Sequence, residues 1–104
     1  MKALIEGRDA IEHIEIYGMI HFWTDQIIKK NLENKLKLNP FMMNRYTVEG
    51  FQKGFADYIP CRYSKIPELF HKGHVPLDAA LISVSSPDSE GNCTYGVSSD
   101  YAWP

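Results

Sequence analysis

The spacing of apolar residues changes along the chain, and each spacing predicts a different element. Ile14 and Ile16 alternate with polar residues, which is typical of a strand near residues 13–20. From Thr24 onward apolar residues recur at every fourth position, so we predict a helix that ends before Asn39-Pro40. The residues at this helical spacing are Ile28, Leu32 and Leu36.

A second helix and a β-prone segment are predicted next. Thr47 is a good residue to cap a helix. The apolar face of that helix would consist of Val48, Phe51 and Phe55, which fall on one side of a 3.6-residue period. Residues 56–63 then form a β-prone run, and Pro60 within it indicates a sheet edge or a strand end.

The final third of the chain contains the clearest helix and the most apolar segment. We predict a helix capped by Ser64, with Pro67 in its first turn and Gly73 as its stop. Its apolar stripe would be Ile66, Leu69 and Phe70. Residues 77–84 are almost uninterruptedly apolar, as in a strand covered on both faces. The order of elements predicts an α/β fold with a layered, mostly parallel sheet and flanking helices.

Composition narrows the class of protein. Hydrophobic residues make up 44% of the 104 residues and charged residues 23%, which is ordinary for a globular domain. The formal net charge of -2 gives no electrostatic basis for binding nucleic acid or an anionic membrane. The N-terminus lacks the pattern of a signal peptide, so we expect a cytoplasmic protein in which Cys61 and Cys93 are reduced.

A turn-rich segment at residues 85–92 follows the predicted buried strand. In an open α/β sheet this position is the carboxyl edge, where ligands usually bind. The segment is also explained as a tight loop in which Asp88 and serine hydroxyls bond to local backbone groups. His71 and His74 do not make a convincing metal site with the two cysteines, because Gly73 breaks the helix between them.

Three stretches of this sequence resemble a known enzyme family. They are Gly54-Phe55-Ala56-Asp57-Tyr58-Ile59-Pro60, then Ser64-Lys65-Ile66-Pro67-Glu68-Leu69-Phe70, then Pro76 through Tyr101 with its Ser-Pro-Asp, Gly91 and Gly96-Val97-Ser98-Ser99-Asp100-Tyr101. In order and spacing they are similar to the acetyl-CoA hydrolases and the acetate, succinate, butyrate and 4-hydroxybutyrate CoA-transferases. The resemblance is strong over residues 54–101 and faint over residues 3–50.

The resemblance implies an acyl-CoA:carboxylate CoA-transferase or an acyl-CoA hydrolase. In that family a glutamate carboxylate attacks the acyl-CoA, and an acyl-glutamyl anhydride leads to a glutamyl-CoA thioester. The motif that carries this glutamate is absent here, and Glu68 and Glu90 do not replace it. We therefore assign no catalytic residue to the chain. We expect one wall of an acyl-CoA pocket at Ser85, Ser86, Pro87, Asp88, Gly91, Gly96 and Ser98.

Two departures from the family pattern keep a second hypothesis open. Ser86 stands where the family often has proline, and Val48 stands where it often has arginine. We expect residues 1–104 to be a single partial N-terminal CoA-transferase domain that is inactive alone and acts with the remaining domains. Acyl-CoA and a small carboxylate would be its substrates, no cofactor would be tightly bound, and the protein would be a homo-oligomer. The alternative is a non-catalytic α/β binding or assembly module on the same scaffold.

Overall fold

The computed structural model describes residues 6–10, 12–19 and 23–102. The chain separates into two compact units, Met1–Pro60 and Cys61–Pro104, and each is described by itself. In the first unit a 3-10 turn is followed by two strands and two helices: Arg8–Ala10, β1 (Ile14–Gly18), α1 (Thr24–Lys29), β2 (Leu36–Pro40) and α2 (Arg45–Gln52). The second unit contains 3-10 turns at Tyr63–Lys65 and Asp100–Ala102 and the helix α3 (Ile66–His71). That the whole chain forms one domain stays a prediction.

The two strands form a parallel sheet, as the sequence pattern predicted. The register pairs Ile14 of β1 with Leu36 of β2 and runs without a break to Gly18 and Pro40. Because the strands are parallel, the chain returns between them through α1, which is the βαβ arrangement of α/β proteins. A partial α/β fold is therefore present, and the predicted strand near residues 13–20 is confirmed over its central five residues.

A third segment extends this sheet beside β2. The Leu38 N–H donates to the Phe55 carbonyl at 2.9 Å, and the Asp57 N–H donates to the Leu38 carbonyl at 2.7 Å. These bonds form a parallel bridge between Leu38 and Ala56. One further bond, from the Ile59 N–H to the Pro40 carbonyl, measures 3.1 Å. The β-prone run is thus confirmed in its first half, at the edge position that a proline favours.

The predicted helix over residues 24–38 is wrong in its second half. The helix ends at Lys29, and Asn31 adopts a left-handed conformation with φ of 54° that stops it. Leu36 and Leu38, at alternate positions of β2, are both buried. Leu32 and Leu36 do have helical spacing, but pairing with β1 buries the leucines of β2 completely and decides the conformation.

The N-cap of the second predicted helix lies three residues before the predicted cap. Asn44 is the N-cap, and its Oδ1 accepts hydrogen bonds from the N–H groups of Tyr46 at 2.8 Å and Thr47 at 3.0 Å. Thr47 is the third helical residue, and its Oγ1 accepts a hydrogen bond from the Asn44 N–H at 3.0 Å. Three backbone donors at the helix start are therefore satisfied by this reciprocal pair of side chains, and the Asn44 cap replaces the predicted Thr47 cap.

The predicted apolar face of α2 is also wrong. Val48 and Phe51 are exposed, and the buried residues of the helix are Thr47 and Gly50. A Cβ on Gly50 would lie 3.1 Å from both the Ala56 Cβ and the Phe55 ring. The glycine therefore lets the helix approach the third segment of the sheet closely, and the helix packs on its small-residue face.

The core of the first unit lies between the sheet and its helices. Its buried members are Ile27, Leu32, Leu36, Leu38, Phe55 and Ala56, with Ile14, Ile16 and Ile28 packed against them. Phe55 belongs to this core although it lies beyond the end of α2. Burial of these side chains is the main favourable contribution to folding of the unit.

Helix α3 is confirmed almost as predicted. Pro67 lies in its first turn, and Gly73, with φ of +69°, follows the Lys72 C-cap. Ser64 lies within the preceding 3-10 turn, and no side chain caps the helix. Ile66 is buried, so the first residue of the predicted apolar stripe is confirmed.

The predicted buried strand at residues 77–84 is wrong in this structure. The segment has no strand assignment, and Leu81 is 86% exposed, while Ile82 and Val84 are about half exposed. Among the residues that the structure describes, no backbone group of this segment takes part in a hydrogen bond. An apolar run becomes a buried strand only when neighbouring strands pair with it, and here that pairing is missing.

Candidate functional site

The predicted pocket segment forms a closed loop between Ser85 and Thr94. The Ser85 N–H donates to the Thr94 carbonyl at 2.8 Å, and the Thr94 N–H donates to the Ser85 Oγ at 3.0 Å. The Ser85 hydroxyl in turn donates to the Ser86 carbonyl at 3.0 Å. Ser85 therefore closes the base of the loop, and its hydroxyl accepts one hydrogen bond and donates another.

Asp88 organises the tip of the loop. Its Oδ1 accepts hydrogen bonds from the Glu90 N–H at 2.9 Å and the Asn92 N–H at 2.8 Å. Its own N–H donates to the Asn92 carbonyl at 2.9 Å, and its carbonyl accepts from the Gly91 N–H at 3.1 Å. The backbone hydrogen bonds from Asn92 and Glu90 lower the pKa of the Asp88 carboxyl, which is therefore ionised at neutral pH.

Both glycines of the predicted site adopt left-handed backbone conformations. Gly91 has φ of 85° and Gly96 has φ of 71°. Glycine adopts this conformation at little cost, whereas a residue with a Cβ is strained there. Their role in the structure is therefore to turn the chain, at the end of the Asp88 loop and again just before Ser98.

Ser98 and Asp100 form a second hydrogen-bonded turn. The Ser98 Oγ accepts a hydrogen bond from the Asp100 N–H at 3.0 Å, and Asp100 has φ of 53°. The Tyr63 hydroxyl donates to the Asp100 carboxylate, and the Tyr101 ring lies edge-on to the Tyr63 ring, with 6.3 Å between centroids. The bond to Asp100 raises the pKa of Tyr63. Sequence reasoning missed this contact because it joins residues 37 positions apart.

The structure places the predicted site residues in two groups. Ser85 to Gly91 belong to the closed loop, whereas Gly96 and Ser98 precede the Asp100 turn. Within the described residues, no hydrogen bond joins Ser98 to the loop. The loop does not follow a formed strand, so its order comes from its own hydrogen bonds. That these residues line one pocket stays a prediction.

Glu68 is held by two lysines rather than presented to a ligand. The Lys65 ammonium bonds to one carboxylate oxygen, and the Lys72 Nζ lies 3.0 Å from the other. These hydrogen bonds, that of Lys65 first, lower the pKa of Glu68 to about 2. The arrangement stabilises α3, because Glu68 lies in its first turn and Lys72 follows its end.

A polar cluster on the parallel sheet was not predicted from the sequence. The Glu15 Oε2 accepts hydrogen bonds from the Tyr17 hydroxyl at 2.8 Å and from the Asn39 Nδ2 at 3.0 Å. The bond from Tyr17 makes the largest contribution to a lowered pKa of Glu15. Asn39 is only 3% exposed, so Glu15 satisfies a buried amide. The strand register, which brings Tyr17 opposite Asn39, was the missing information.

The chemistry available in the loop is binding rather than bond breaking. It offers one ionised carboxylate, serine hydroxyls and backbone amides, and its side chains are exposed. In residues 6–10, 12–19 and 23–102 there is no group of three or more His, Cys, Asp or Glu side chains arranged to hold a metal ion. In the same ranges no helix is long and apolar enough to cross a membrane.

The parallel βαβ arrangement of the first unit defines the fold class as α/β. Comparison with protein-family models makes the assignment specific. The model of the acetyl-CoA hydrolase/transferase N-terminal domain matches residues 1–103. The chain therefore belongs to the acetyl-CoA hydrolase/transferase family, as the motifs of residues 54–101 predicted.

Curated relatives of the chain are CoA-transferases. The chain is 34% identical over 104 residues to the 4-hydroxybutyrate coenzyme A transferase of Clostridium kluyveri, a match that covers 100% of the chain and 24% of that enzyme. It is 28% identical over 101 residues to the butyryl-CoA:acetate CoA-transferase of Anaerostipes caccae, covering 96% of the chain and 23% of the relative.

A shorter match is closer in sequence. Over 52 residues, half of the chain, it is 50% identical to the succinyl-CoA:acetate/propanoyl-CoA:succinate CoA transferase of Fasciola hepatica and covers 11% of that protein. The chain thus spans about a quarter, or less, of the length of the relatives described here.

Proposed function

We propose that this chain is the N-terminal part of an acyl-CoA:carboxylate CoA-transferase. The observation that carries the proposal is the family match over residues 1–103, together with relatives whose names all describe CoA transfer. Coenzyme A would pass between carboxylates through a glutamyl-CoA thioester, on a glutamate outside this chain. Residues 1–104 would act as one partial domain with the remaining transferase domains.

The contribution that we propose for this part is one wall of the acyl-CoA pocket, formed by the Asp88 loop and the Ser98 turn. The loop supports this role because hydrogen bonds within it close its base and its tip without a contribution from a sheet. A preformed loop loses little conformational freedom when a ligand binds. Acyl-CoA and a small carboxylate would be substrates rather than tightly bound cofactors, and we place the protein in the cytoplasm.

A chimeric enzyme tests the proposal. Residues 1–103 would replace the matching segment of the Clostridium kluyveri 4-hydroxybutyrate coenzyme A transferase, and CoA transfer would be measured under steady-state conditions. We expect an active chimera. A chimera that folds and assembles like the host enzyme but has no transferase activity contradicts the proposal and favours a non-catalytic module.

Loop variants of the chimera test the pocket wall separately. Asp88→Ala removes the carboxylate that holds two backbone amides, and we expect a higher KM for acyl-CoA. Glu90→Ala is the matched control, because Glu90 is an exposed carboxylate of the same loop whose weak contact to Asn92 is 3.4 Å long. If the two substitutions changed the KM for acyl-CoA equally, the proposal that Asp88 forms part of the pocket wall would be wrong.

A further inference from the structure

Tyr63 contacts a turn that lies far from it in the sequence. Its hydroxyl donates to the Asp100 carboxylate, and its ring meets the Tyr101 ring edge-on, with 6.3 Å between the two centroids. Both a hydrogen bond to a charged group and an edge-to-face ring pair depend on geometry. Together the two contacts define where the turn Asp100–Ala102 lies relative to Tyr63.

The backbone that carries Tyr63 is itself held in place. Tyr63 is the first residue of the 3-10 turn Tyr63–Lys65, which continues directly into α3. Ile66, the first residue of α3, is only 1% exposed. Lys65 bonds to the Glu68 carboxylate, which ties the turn to the helix. Tyr63 therefore lies on ordered helical backbone, which is the kind of support that holds a functional group in a defined position.

Asp100 has a backbone conformation that is uncommon for a residue other than glycine. Its φ is 53°, in the left-handed region, where aspartate and asparagine are tolerated better than other residues with a Cβ. Such a conformation costs free energy and persists where surrounding contacts hold it. The hydrogen bond from the Tyr63 hydroxyl is a contact of this kind, because it holds the side chain of the same residue.

Asp100 in turn fixes the position of Ser98. The Asp100 N–H donates to the Ser98 Oγ at 3.0 Å. A hydroxyl that accepts one hydrogen bond can donate another, for example to a carbonyl or carboxylate oxygen of a ligand. Two successive hydrogen bonds, from Tyr63 to Asp100 and from Asp100 to Ser98, therefore connect the start of α3 with a hydroxyl of the proposed pocket wall.

We propose that Tyr63 and Asp100 are positioning residues for the Ser98 hydroxyl, which donates a hydrogen bond to an oxygen atom of the bound acyl-CoA. Tyr63 acts through Asp100, and Asp100 acts through Ser98, so neither of the two touches the substrate. This role rests on the proposed function, because the ligand is the acyl-CoA of the transferase.

Hydrogen exchange of the Asp100 amide tests the positioning without an assay of activity. In the 104-residue chain, Tyr63→Phe keeps the ring and removes only the hydroxyl. The protection of the Asp100 amide relative to its intrinsic exchange rate should then fall by about threefold or more, because the turn that presents Ser98 loses a contact. Unchanged protection in Tyr63→Phe overturns the proposal.

Three further variants calibrate this measurement. Ser98→Ala removes the acceptor of the Asp100 N–H and gives the value for complete loss of that bond. Asp100→Asn should retain most of the protection, because asparagine keeps an oxygen for the Tyr63 hydroxyl and tolerates the left-handed conformation. Tyr17→Phe is the matched control, since it removes a hydrogen bond from a tyrosine to a carboxylate, that of Glu15, and should leave the Asp100 amide unchanged.

Steady-state kinetics of the chimeric enzyme separate positioning from direct contact with the substrate. Ser98→Ala and Tyr63→Phe should each raise the KM for acyl-CoA about threefold to tenfold and leave kcat unchanged, whereas Tyr17→Phe should change neither. The double variant should have the same KM as Ser98→Ala alone, because Tyr63 acts through Ser98. Effects of Ser98→Ala and Tyr63→Phe that multiply would show that Tyr63 acts independently of Ser98, which overturns the proposal.

Failure of the proposed function gives a different result. A parent chimera that folds but transfers no coenzyme A contradicts that function and, with it, the acyl-CoA ligand of Ser98. An active parent chimera whose KM is unchanged by Tyr63→Phe leaves the transferase function intact and overturns the positioning role.

Discussion

Leu38 and Leu81 are two leucines whose surroundings in the structure are opposite, and their truncation tests the fold sharply. Leu38 is 0% exposed, lies in β2 and bonds through its backbone to the third segment of the sheet. Leu81 lies in the segment that the sequence predicted to be the most buried strand, yet it is 86% exposed. The same substitution, leucine to alanine, should therefore have very different effects at the two positions.

The size of the effect at Leu38 follows from complete burial. Leu38→Ala removes three carbon atoms from a core of six buried residues and leaves a cavity between sheet and helices. Such truncations cost about 3 to 4 kcal/mol, the sum of lost transfer free energy and the cavity that remains. Leu81→Ala removes the same atoms from solvent and should change the free energy of unfolding by less than about 0.5 kcal/mol.

Urea denaturation followed by circular dichroism measures both values. Dilute protein should be used, so that self-association does not contribute to the measured free energy. A loss at Leu81 as large as that at Leu38 would refute the structure of the segment, because it would show that Leu81 is buried. A loss below about 1 kcal/mol at Leu38 would refute its place in the core.

Three further outcomes are expected. Asn44→Ala should destabilise the first unit by about 1 kcal/mol in urea denaturation, because it removes the N-cap of α2, whereas Asn44→Ser should retain most of the stability. Because folding lowers the pKa of Asp88, its contribution to loop stability is present above the ordinary value of 3.8 and is lost as the pH falls through the lowered pKa; the protection of the loop amides relative to their intrinsic exchange rates should fall over that range, and unchanged protection would contradict the Asp88 network. The carboxyl resonance of Glu68 should titrate near 2, and removal of Lys65 or Lys72 should raise that value, whereas an unchanged titration would show that the lysines do not contact it.

The sequence predicted the structure correctly where residues within an element determine its conformation. The alternation of Ile14 and Ile16 predicted β1, and Pro67 with Gly73 predicted the extent of α3. The turn chemistry of Asp88 likewise indicated a loop held by its own hydrogen bonds. In each case the information lies within a few residues of the element that it describes.

Long-range pairing accounts for the predictions that were wrong. Leu36 has helical spacing with Leu32, but the contacts that make it part of a strand come from β1. The burial of Gly50 in α2 depends on the position of Ala56 rather than on the amphipathic pattern of the helix. An apolar run such as residues 77–84 indicates that a strand is suited to burial, and the partner strands decide whether burial occurs.

The candidate site was predicted from family motifs more than from the physical properties of its residues. The family motifs of residues 54–101 led to the family that the comparison with family models then matched over residues 1–103. The hydrogen bond between Tyr63 and Asp100 was missed because no local pattern connects the two residues. The spacing of apolar residues and the conformational propensities alone would have predicted an α/β fold with a hydrogen-bonded loop. They would not have predicted which reaction the protein catalyses.

The fate of coenzyme A in the chimeric enzyme tests the central claim most directly. The chimera would be incubated with an acyl-CoA donor and an acceptor carboxylate, and thioesters and free thiol would be measured together. A CoA-transferase forms one new thioester for each thioester consumed and releases no free thiol, which is the result that we predict. Release of one free thiol for each thioester consumed, with no new thioester, would contradict the claim and identify a hydrolase.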